Sequence, residues 1–166
     1  MHLIAAAMGA EGDLAATRLT RGCRCFAVWL DDALGGYGWL STGPEWIGEI
    51  QLEIKPRERE GYIWNCVTLR RHRRQGVFRS LVAGICLAAR GSGLKRMWIG
   101  SVAIPAEKAL GPIGFEPALR FDSVTFAGIH LMRATRASNR RLAMDACSLL
   151  GMRPGLLIRG SHPRRH

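Results

Sequence analysis

The fold is decided by one stretch of the sequence, RHRRQGVFRSLVAGICLAAR, from Arg71 to Arg90. It begins as a basic turn and becomes an amphipathic helix at about Val77. Apolar residues recur in the helix at i, i+3, i+4, i+7 and i+11, which is the spacing of one buried helical face. These residues are Phe78, Leu81, Val82, Ile85 and Ala89.

A buried strand is predicted directly before this turn. The segment from Tyr62 to Leu69, YIWNCVTL, is β-branched and aromatic and contains no Gly or Pro. The first turn of a helix has unpaired N–H groups and a partial positive charge, and both stabilise an anion placed there. Strand, basic turn and helix therefore form an arrangement that can hold a phosphate.

The elements around this stretch predict a mixed α+β fold. A second buried strand over Arg96–Val102 follows Gly91–Gly93, which ends the helix, so that Tyr62–Val102 reads as a β-α-β unit with parallel strands. Local signals predict further helices and strands on both sides of this unit. They are a short helix over residues 12–20, a hairpin of Arg24–Leu30 against Gly36–Ser41, a strand over Ile50–Ile54, a helix over Pro105–Leu110, one or two antiparallel strands in Ala118–Arg133, a helix capped by Ser138 and running to Leu150, and a strand over Gly155–Ile158.

The length and composition indicate a globular chain. Its 166 residues suffice for one domain with a proper core, and nearly half of them are apolar. No apolar stretch approaches the roughly 20 residues of a membrane helix, and the start lacks the cationic region of a signal peptide. We expect one domain over residues 1–166, with a core over 24–133 and a helix, short strand and basic tail over 134–166.

The five cysteines are scattered and odd in number, which favours reduced thiols in the cytoplasm over a disulfide framework. Cys23 and Cys25 lack zinc-finger spacing and have no second pair, so we expect no metal site.

The formal net charge of +11 has two interpretations. It permits binding to nucleic acid or an anionic surface. Equally, it is typical of a GC-rich genome, since only Lys55, Lys95 and Lys108 are lysines and the other cations are arginines. The charge concentrates in the turn Arg70–Arg79 and in the tail from Arg133.

The order of these elements resembles the GNAT superfamily of acetyl-CoA-dependent N-acetyltransferases. The family's (R/Q)-x-x-G-x-(G/A) turn corresponds to the segment from Arg73 to Phe78, and its Gly-Phe pair to Gly114-Phe115. The short motif alone is weak, but here a strand ends just before it and a helix starts on it. The resemblance implies an α+β GNAT fold and acyl transfer from acetyl-CoA to a primary amine by direct attack.

For the acetyl-CoA donor, the turn and the preceding strand are the expected binding elements. Backbone N–H groups of the turn converge on the pyrophosphate, where Gly76 permits close approach, and arginines add charge for the phosphates. The edge of the preceding strand forms hydrogen bonds with the pantetheine amides. The expected cofactor-binding residues are Val67, Thr68, Leu69, Arg73, Arg74, Gln75, Gly76, Val77, Phe78 and Arg79.

Three positions depart from the family pattern. Phe78 replaces a small residue, Leu110 stands where many members carry a tyrosine that protonates the departing thiolate, and Ala103 stands where many carry an asparagine. The resemblance implies that the backbone N–H near Cys66 faces the thioester oxygen. The proton for the thiolate then comes from Tyr62, from the Cys66 thiol or from water.

The base that deprotonates the amine has several candidates. Glu49 and Glu53 are the available acids, although both also fit polar positions on a half-exposed strand. Asn65 either orients a water or acceptor, or satisfies a neighbouring group.

The wall of the acceptor site is expected from the residues that precede the first hairpin. Only about twenty residues precede the hairpin, where family members usually have a strand and two helices. The acceptor side is therefore open, is completed by a second subunit in a homodimer, or reflects a shortened gene start. We expect acetyl-CoA and a small-molecule or peptide amine as partners, and no membrane. The alternatives are an impaired acyl-CoA sensor and, less favoured, a basic nucleic-acid-binding protein.

Overall fold

A four-stranded mixed sheet organises the first of two units, Met1–Phe115 and Glu116–His166, into which the chain divides. The computed structural model describes residues 1–48, 50, 52–101, 104–126, 129–153 and 155–160. The first unit contains α1 (His2–Met8), α2 (Leu14–Thr20), β1 (Arg24–Leu30), β2 (Ala33–Ser41), β3 (Glu45–Ile47), β4 (Leu52–Ile54), β5 (Glu60–Thr68), α3 (Val77–Gly91), β6 (Arg96–Ile99) and α4 (Ile104–Leu110).

The sheet confirms the predicted mixed α+β class. Its strand order is β1-β2-β5-β6, in which β1 and β5 both pair antiparallel with β2. β5 and β6 pair in parallel through the connecting α3, as the β-α-β pattern predicts. The hairpin of β1 and β2 is also as predicted, although β2 begins at Ala33 rather than Gly36. β3 and β4 form a separate small hairpin, of which the sequence predicted only the second strand.

The core of this unit lies between α3 and the sheet. Leu81, Val82, Ile85 and Ala89 are buried on one face of α3, so the predicted buried face is confirmed for these four residues. They pack with Leu40 and Ile63 of the central strands, and Phe78 packs partly buried at the edge of this cluster. This packing anchors the N-terminus of α3 next to the end of β5.

The opposite face of the sheet contacts α2. The guanidinium of Arg18, on α2, lies over the rings of Trp39 and Trp64, at 5.3 and 5.9 Å from their centroids. The sequence predicted one helix over residues 12–20, whereas α1 and α2 both fall within the first twenty residues. Two short helices are therefore present in the region where the sequence predicted only one.

The second unit contains β7 (Leu119–Phe126), β8 (Ile129–Arg136), α5 (Arg140–Leu149) and β9 (Gly155–Gly160). The three strands form an antiparallel sheet in the order β7-β8-β9. The prediction that Ser138 caps α5 is wrong, since Asn139 occupies the N-cap and its Oδ1 accepts a hydrogen bond from the Leu142 N–H at 3.0 Å. The assignment of residues 1–166 to one domain stays a prediction.

No helix in the part of the chain that the structure describes is long and apolar enough to cross a membrane.

Candidate active site

A β-bulge interrupts the central strand β5. Trp39 of β2 pairs with Trp64 and Tyr37 pairs with Val67, so that Asn65 and Cys66 together oppose Gly38. Asn65 has a left-handed backbone with φ 46°. An extra residue of this kind changes which face of the sheet each following side chain occupies.

Because of the bulge, the side chains of Trp64 and Cys66 lie on opposite faces of the sheet, although residues two apart in a regular strand share a face. The ring centroids of Trp64 and Trp39 are 6.3 Å apart with the rings tilted by 38°, on the face that carries Arg18. The Cys66 side chain instead packs against the core cluster under α3. A Cβ added to Gly38 would lie 2.8 Å from the Cys66 Sγ, which shows how closely the sulfur approaches β2.

The two parallel strands separate directly before the bulge. Pairing of β5 with β6 ends at Ile63 and Ile99, whereas β5 itself continues to Thr68. Beyond Ile63, the edge of β5 that faces away from β2 pairs with no strand among the described residues. A free strand edge offers unpaired N–H and C=O groups to an extended ligand, and this edge includes the predicted residues Val67 and Thr68.

The segment after β5 folds into a tight turn that ends at α3. Leu69 donates its N–H to the Gly35 carbonyl at 3.0 Å, and Arg70–His72 form a short 3-10 turn. Arg74 (φ 63°) and Gly76 (φ 79°) are left-handed, and Gly76 is the N-cap of α3. Glycine suits this position because a left-handed backbone costs it no steric penalty.

The N-terminus of α3 presents free backbone donors. The Ser80 N–H donates to the Gly76 carbonyl at 3.0 Å, whereas the N–H groups of Val77, Phe78 and Arg79 have no partner among the described residues. Three convergent N–H groups at the positive end of a fifteen-residue helix can bind an anion.

Exposed arginines surround these donors. None of them forms an ion pair with a carboxylate in the described part of the chain, so their charge is available to a ligand. Arg71 Nε lies 2.9 Å from His72 Nε2, to which it donates a hydrogen bond. An open cleft of about 720 Å³ lies beside the turn and is lined by Leu30, Asp31, Asp32, Ala33, Arg71, His72 and Gln75. The arginines of and around the turn are Arg70, Arg71, Arg73, Arg74 and Arg79.

The candidate acids occupy different environments. Burial raises the pKa of the Cys66 thiol to about 12, so the sulfur stays protonated and uncharged near neutral pH. A thiol of this kind is a poor proton donor to a departing thiolate, whose own pKa is about 8.5. The hydroxyl of Tyr62 packs against Gly100, since a Cβ there would lie 2.7 Å from the oxygen. This hydroxyl therefore lies where β5 and β6 separate.

The position of Leu110 agrees with the departure seen in the sequence. Leu110 is buried in the cluster under α3, and it supplies no acid where many family members have tyrosine.

Of the two candidate bases, the structure describes only Glu53. The Glu53 carboxylate is half exposed on β4 and pairs with Lys55 Nζ at 2.9 Å. Glu49 lies outside the described residues, as do Ala103 and Val102. Asn65 does lie in a cavity, and its Nδ2 donates to the Glu11 Oε2 at 3.0 Å.

This cavity, of about 310 Å³, lies on the Arg18 side of the sheet. Its lining residues are Glu11, Arg18, Trp46, Gly48, Trp64 and Asn65. Of these residues, only Asn65 was predicted from the sequence to belong to a functional site. Glu11 carried no local signal, because it meets Asn65 across 54 positions of the chain.

Comparison with known proteins gives one family. The model of the acetyltransferase (GNAT) family matches residues 6–111, which include the bulge, the turn and α3. A search of curated proteins finds no match.

Solved structures share the fold at low identity. An aminoglycoside N-acetyltransferase solved in complex with CoA is 18% identical with TM-score 0.51, over 75% of this chain and 90% of that one. A probable acetyltransferase is 20% identical with TM-score 0.51, over 70% and 76% of the two chains. An acetyltransferase of Trypanosoma brucei is 17% identical with TM-score 0.50, over 69% and 76%. With a family model that spans most of the first unit and a splayed β-α-β centre of the same fold, this chain belongs to the GNAT acetyltransferase family.

Proposed function

We propose that the protein transfers an acetyl group from acetyl-CoA to a primary amine. The observation that carries this proposal is the N-terminus of α3, which follows closely after the outer edge of β5. The N–H groups of Val77, Phe78 and Arg79 and the β5 edge beyond Ile63 are all without a partner among the residues that the structure describes. A pyrophosphate needs convergent donors and positive charge, and pantetheine needs an open strand edge. Both features occur here within one short segment, from the end of β5 to the start of α3.

In this proposal the donor lies along β5 and the turn. The pyrophosphate binds the N–H groups at the start of α3, and Gly76 keeps the approach free, since nothing lies within 4 Å of a Cβ built there. Arg73 and Arg74, exposed and without a carboxylate partner among the described residues, neutralise phosphate charge. The backbone of Val67, Thr68 and Leu69 forms hydrogen bonds with the pantetheine arm. The acetyl group then lies near the bulge.

The reaction proceeds by direct attack. The neutral amine adds to the thioester carbon, the oxyanion accepts a hydrogen bond from the N–H near Cys66, and the C–S bond breaks. The amine gives up one proton to water, since the half-exposed Glu53 carboxylate already pairs with Lys55 Nζ at 2.9 Å. The CoA thiolate takes a proton from Tyr62, whose hydroxyl lies at the separation of β5 and β6, or from water.

One observation favours a second function, an acyl-CoA sensor without transferase activity. Leu110 is buried in the core at the position where many family members have a catalytic tyrosine. A sensor would keep the donor site and lose the chemistry.

Product analysis separates the two functions. The purified protein is incubated with acetyl-CoA and a panel of primary amines, and acetylated amine and free CoA are measured together by mass spectrometry. We expect equal amounts of both products. Donor binding without any acetylated amine would instead support the sensor, and the absence of donor binding would reject both.

A further inference from the structure

The cavity on the Arg18 side of the sheet carries one carboxylate. Among its lining residues only Glu11 is acidic, and the other charged side chain is that of Arg18. The remaining lining consists of two tryptophans, a glycine and Asn65. The cavity therefore combines one anchor for a cation with aromatic walls.

Glu11 is held in place on one of its oxygens. Arg18 Nη2 donates to its Oε2 at 2.9 Å, and Asn65 Nδ2 donates to the same oxygen at 3.0 Å. Oε1 has no partner among the described residues, and the side chain is 53% exposed. Burial, and secondarily the charge of Glu11, raise the pKa of Tyr37, so this neighbour is an uncharged phenol. The free oxygen is thus a fixed acceptor that a ligand can reach.

Arg18 makes this arrangement rigid. The residue is only 9% exposed and its guanidinium lies over Trp39 and Trp64. A buried planar cation that lies over two neighbouring rings has little freedom to reorient, so the carboxylate that it binds is held in one orientation as well.

The cavity adjoins the reacting end of the donor. Trp64 and Asn65 line it, and Cys66, the next residue of β5, has the N–H that the proposed function assigns to the thioester oxygen. An amine bound at Glu11 therefore lies on the side of the bulge from which the acetyl group is accessible.

We propose that Glu11 Oε1 binds the amino group of the acceptor, and that the acceptor is a compact monoamine with an apolar or aromatic substituent that packs on Trp46. This inference rests on the proposed function and specifies its acceptor. Trp46 is 50% exposed and lines the cavity, so it offers an apolar surface without a protein partner over half its area. The lining residues of the cavity that the structure describes include no second carboxylate to pair with a further ammonium group, which disfavours polyamines.

The test compares phenethylamine, ethylamine and 1,4-diaminobutane as acceptors for the full chain with saturating acetyl-CoA. We expect phenethylamine to have the lowest KM of the three. Glu11→Gln raises its KM by about 10- to 100-fold, the loss expected for a charge-assisted hydrogen bond, while kcat changes much less. The matched control is Asp13→Asn, which removes the same charge from an exposed side chain that makes no cap hydrogen bond.

A second variant tests the aromatic surface separately. Trp46→Ala raises the KM of phenethylamine but not that of ethylamine, because only the larger amine reaches the ring. Quenching of tryptophan fluorescence by phenethylamine, measured without acetyl-CoA, reports binding independently of catalysis. The Glu11→Gln variant should lose this signal while its thermal shift with acetyl-CoA stays unchanged.

Three results would overturn the proposal. One is an unchanged phenethylamine KM in Glu11→Gln, and another is an equal rise in Asp13→Asn. The third is preferred turnover of 1,4-diaminobutane. If acetyl-CoA binds but phenethylamine neither binds nor reacts, the acceptor assignment fails while the donor site stands. A protein that fails to bind acetyl-CoA at all rejects the proposed function itself.

Discussion

Asn65 donates a hydrogen bond from Nδ2 to the carboxylate of Glu11 at 3.0 Å, across 54 positions of the chain. The contact joins the bulge of β5 to the segment between α1 and α2. It exists because the left-handed backbone of Asn65 places an extra residue in the strand. The bulge thus links the central strand to the wall of the cavity on the Arg18 side of the sheet.

Replacement of Arg18 should weaken both this wall and the fold. Arg18→Met removes the ion pair with Glu11 and the cation over two tryptophans. We expect the free energy of unfolding to fall by about 1–3 kcal/mol, together with a higher KM for the amine. Urea unfolding and steady-state kinetics measure the two effects. Arg18→Lys should recover part of both, and a fully stable Arg18→Met variant with an unchanged KM would contradict this role.

Gly38 should not tolerate a larger residue while Cys66 is present. The Cβ of Gly38→Ala would meet the Cys66 Sγ at 2.8 Å and a methyl of Leu81 at 3.2 Å. We expect a loss of about 1–3 kcal/mol from overpacking. The double variant Gly38→Ala/Cys66→Ala should lose less than the sum of the two single losses, as a double-mutant cycle by urea unfolding would show. Strict additivity would mean that the sulfur is not the obstacle.

The raised pKa of Cys66 predicts a loss of stability at alkaline pH. The unfolded thiol ionises near 9, whereas the folded thiol keeps its proton until about 12. The folded state therefore binds more protons in this window, and stability falls as pH rises above 9, by at most about 1.4 kcal/mol per pH unit for this group. Cys66→Ala should give a shallower slope of unfolding free energy between pH 9 and 10.5. Identical slopes would show that the thiol ionises normally in the folded protein.

Two adjacent residues at the start of α5, Ser138 and Asn139, should differ in their contribution to stability. Asn139→Ala removes the acceptor of the Leu142 N–H and should cost about 1 kcal/mol. Ser138→Ala, the matched control, should change the free energy of unfolding by less than about 0.5 kcal/mol. Thermal unfolding of the two variants measures both losses. Equal losses of stability would show that Ser138 contributes to the cap as much as Asn139.

Much of the fold was predictable because its signals are local. The buried face of α3 follows from the spacing of Leu81, Val82 and Ile85, and the parallel pairing of β5 and β6 follows from the helix between them. The choice between Ser138 and Asn139 was not predictable from residue type, since both are good N-caps and only the backbone decides which one occupies the position.

The proposed donor and acceptor sites differ in how much of each could be predicted from the sequence. The basic turn, Gly76 and the start of α3 lie in one short stretch of sequence, so the charge and the helix N-terminus of the proposed donor site could be predicted from the chain alone. Glu11 and Arg18 acquire their neighbours only when α2 packs on Trp39 and Trp64. The bulge at Asn65 is a property of strand register, and YIWNCVTL carries no glycine or proline to mark it.

The most direct test of the central claim is thermal unfolding with and without saturating acetyl-CoA, using ATP as a polyanion control. Ligand at about a hundred times its dissociation constant adds about 2.7 kcal/mol of stability, which corresponds to a rise in Tm of roughly 5–10 °C for a chain of this size. Gly76→Glu and Gly93→Glu form a matched pair, since both glycines are left-handed with no atom within 4 Å of a built Cβ. Gly76 precedes the N-terminus of α3, and Gly93 lies two residues after its C-terminus.

We predict a Tm rise with acetyl-CoA that exceeds the rise with ATP, that is lost in Gly76→Glu and that persists in Gly93→Glu. Equal rises with acetyl-CoA and ATP, or an undiminished rise in Gly76→Glu, would contradict a donor site at the N-terminus of α3.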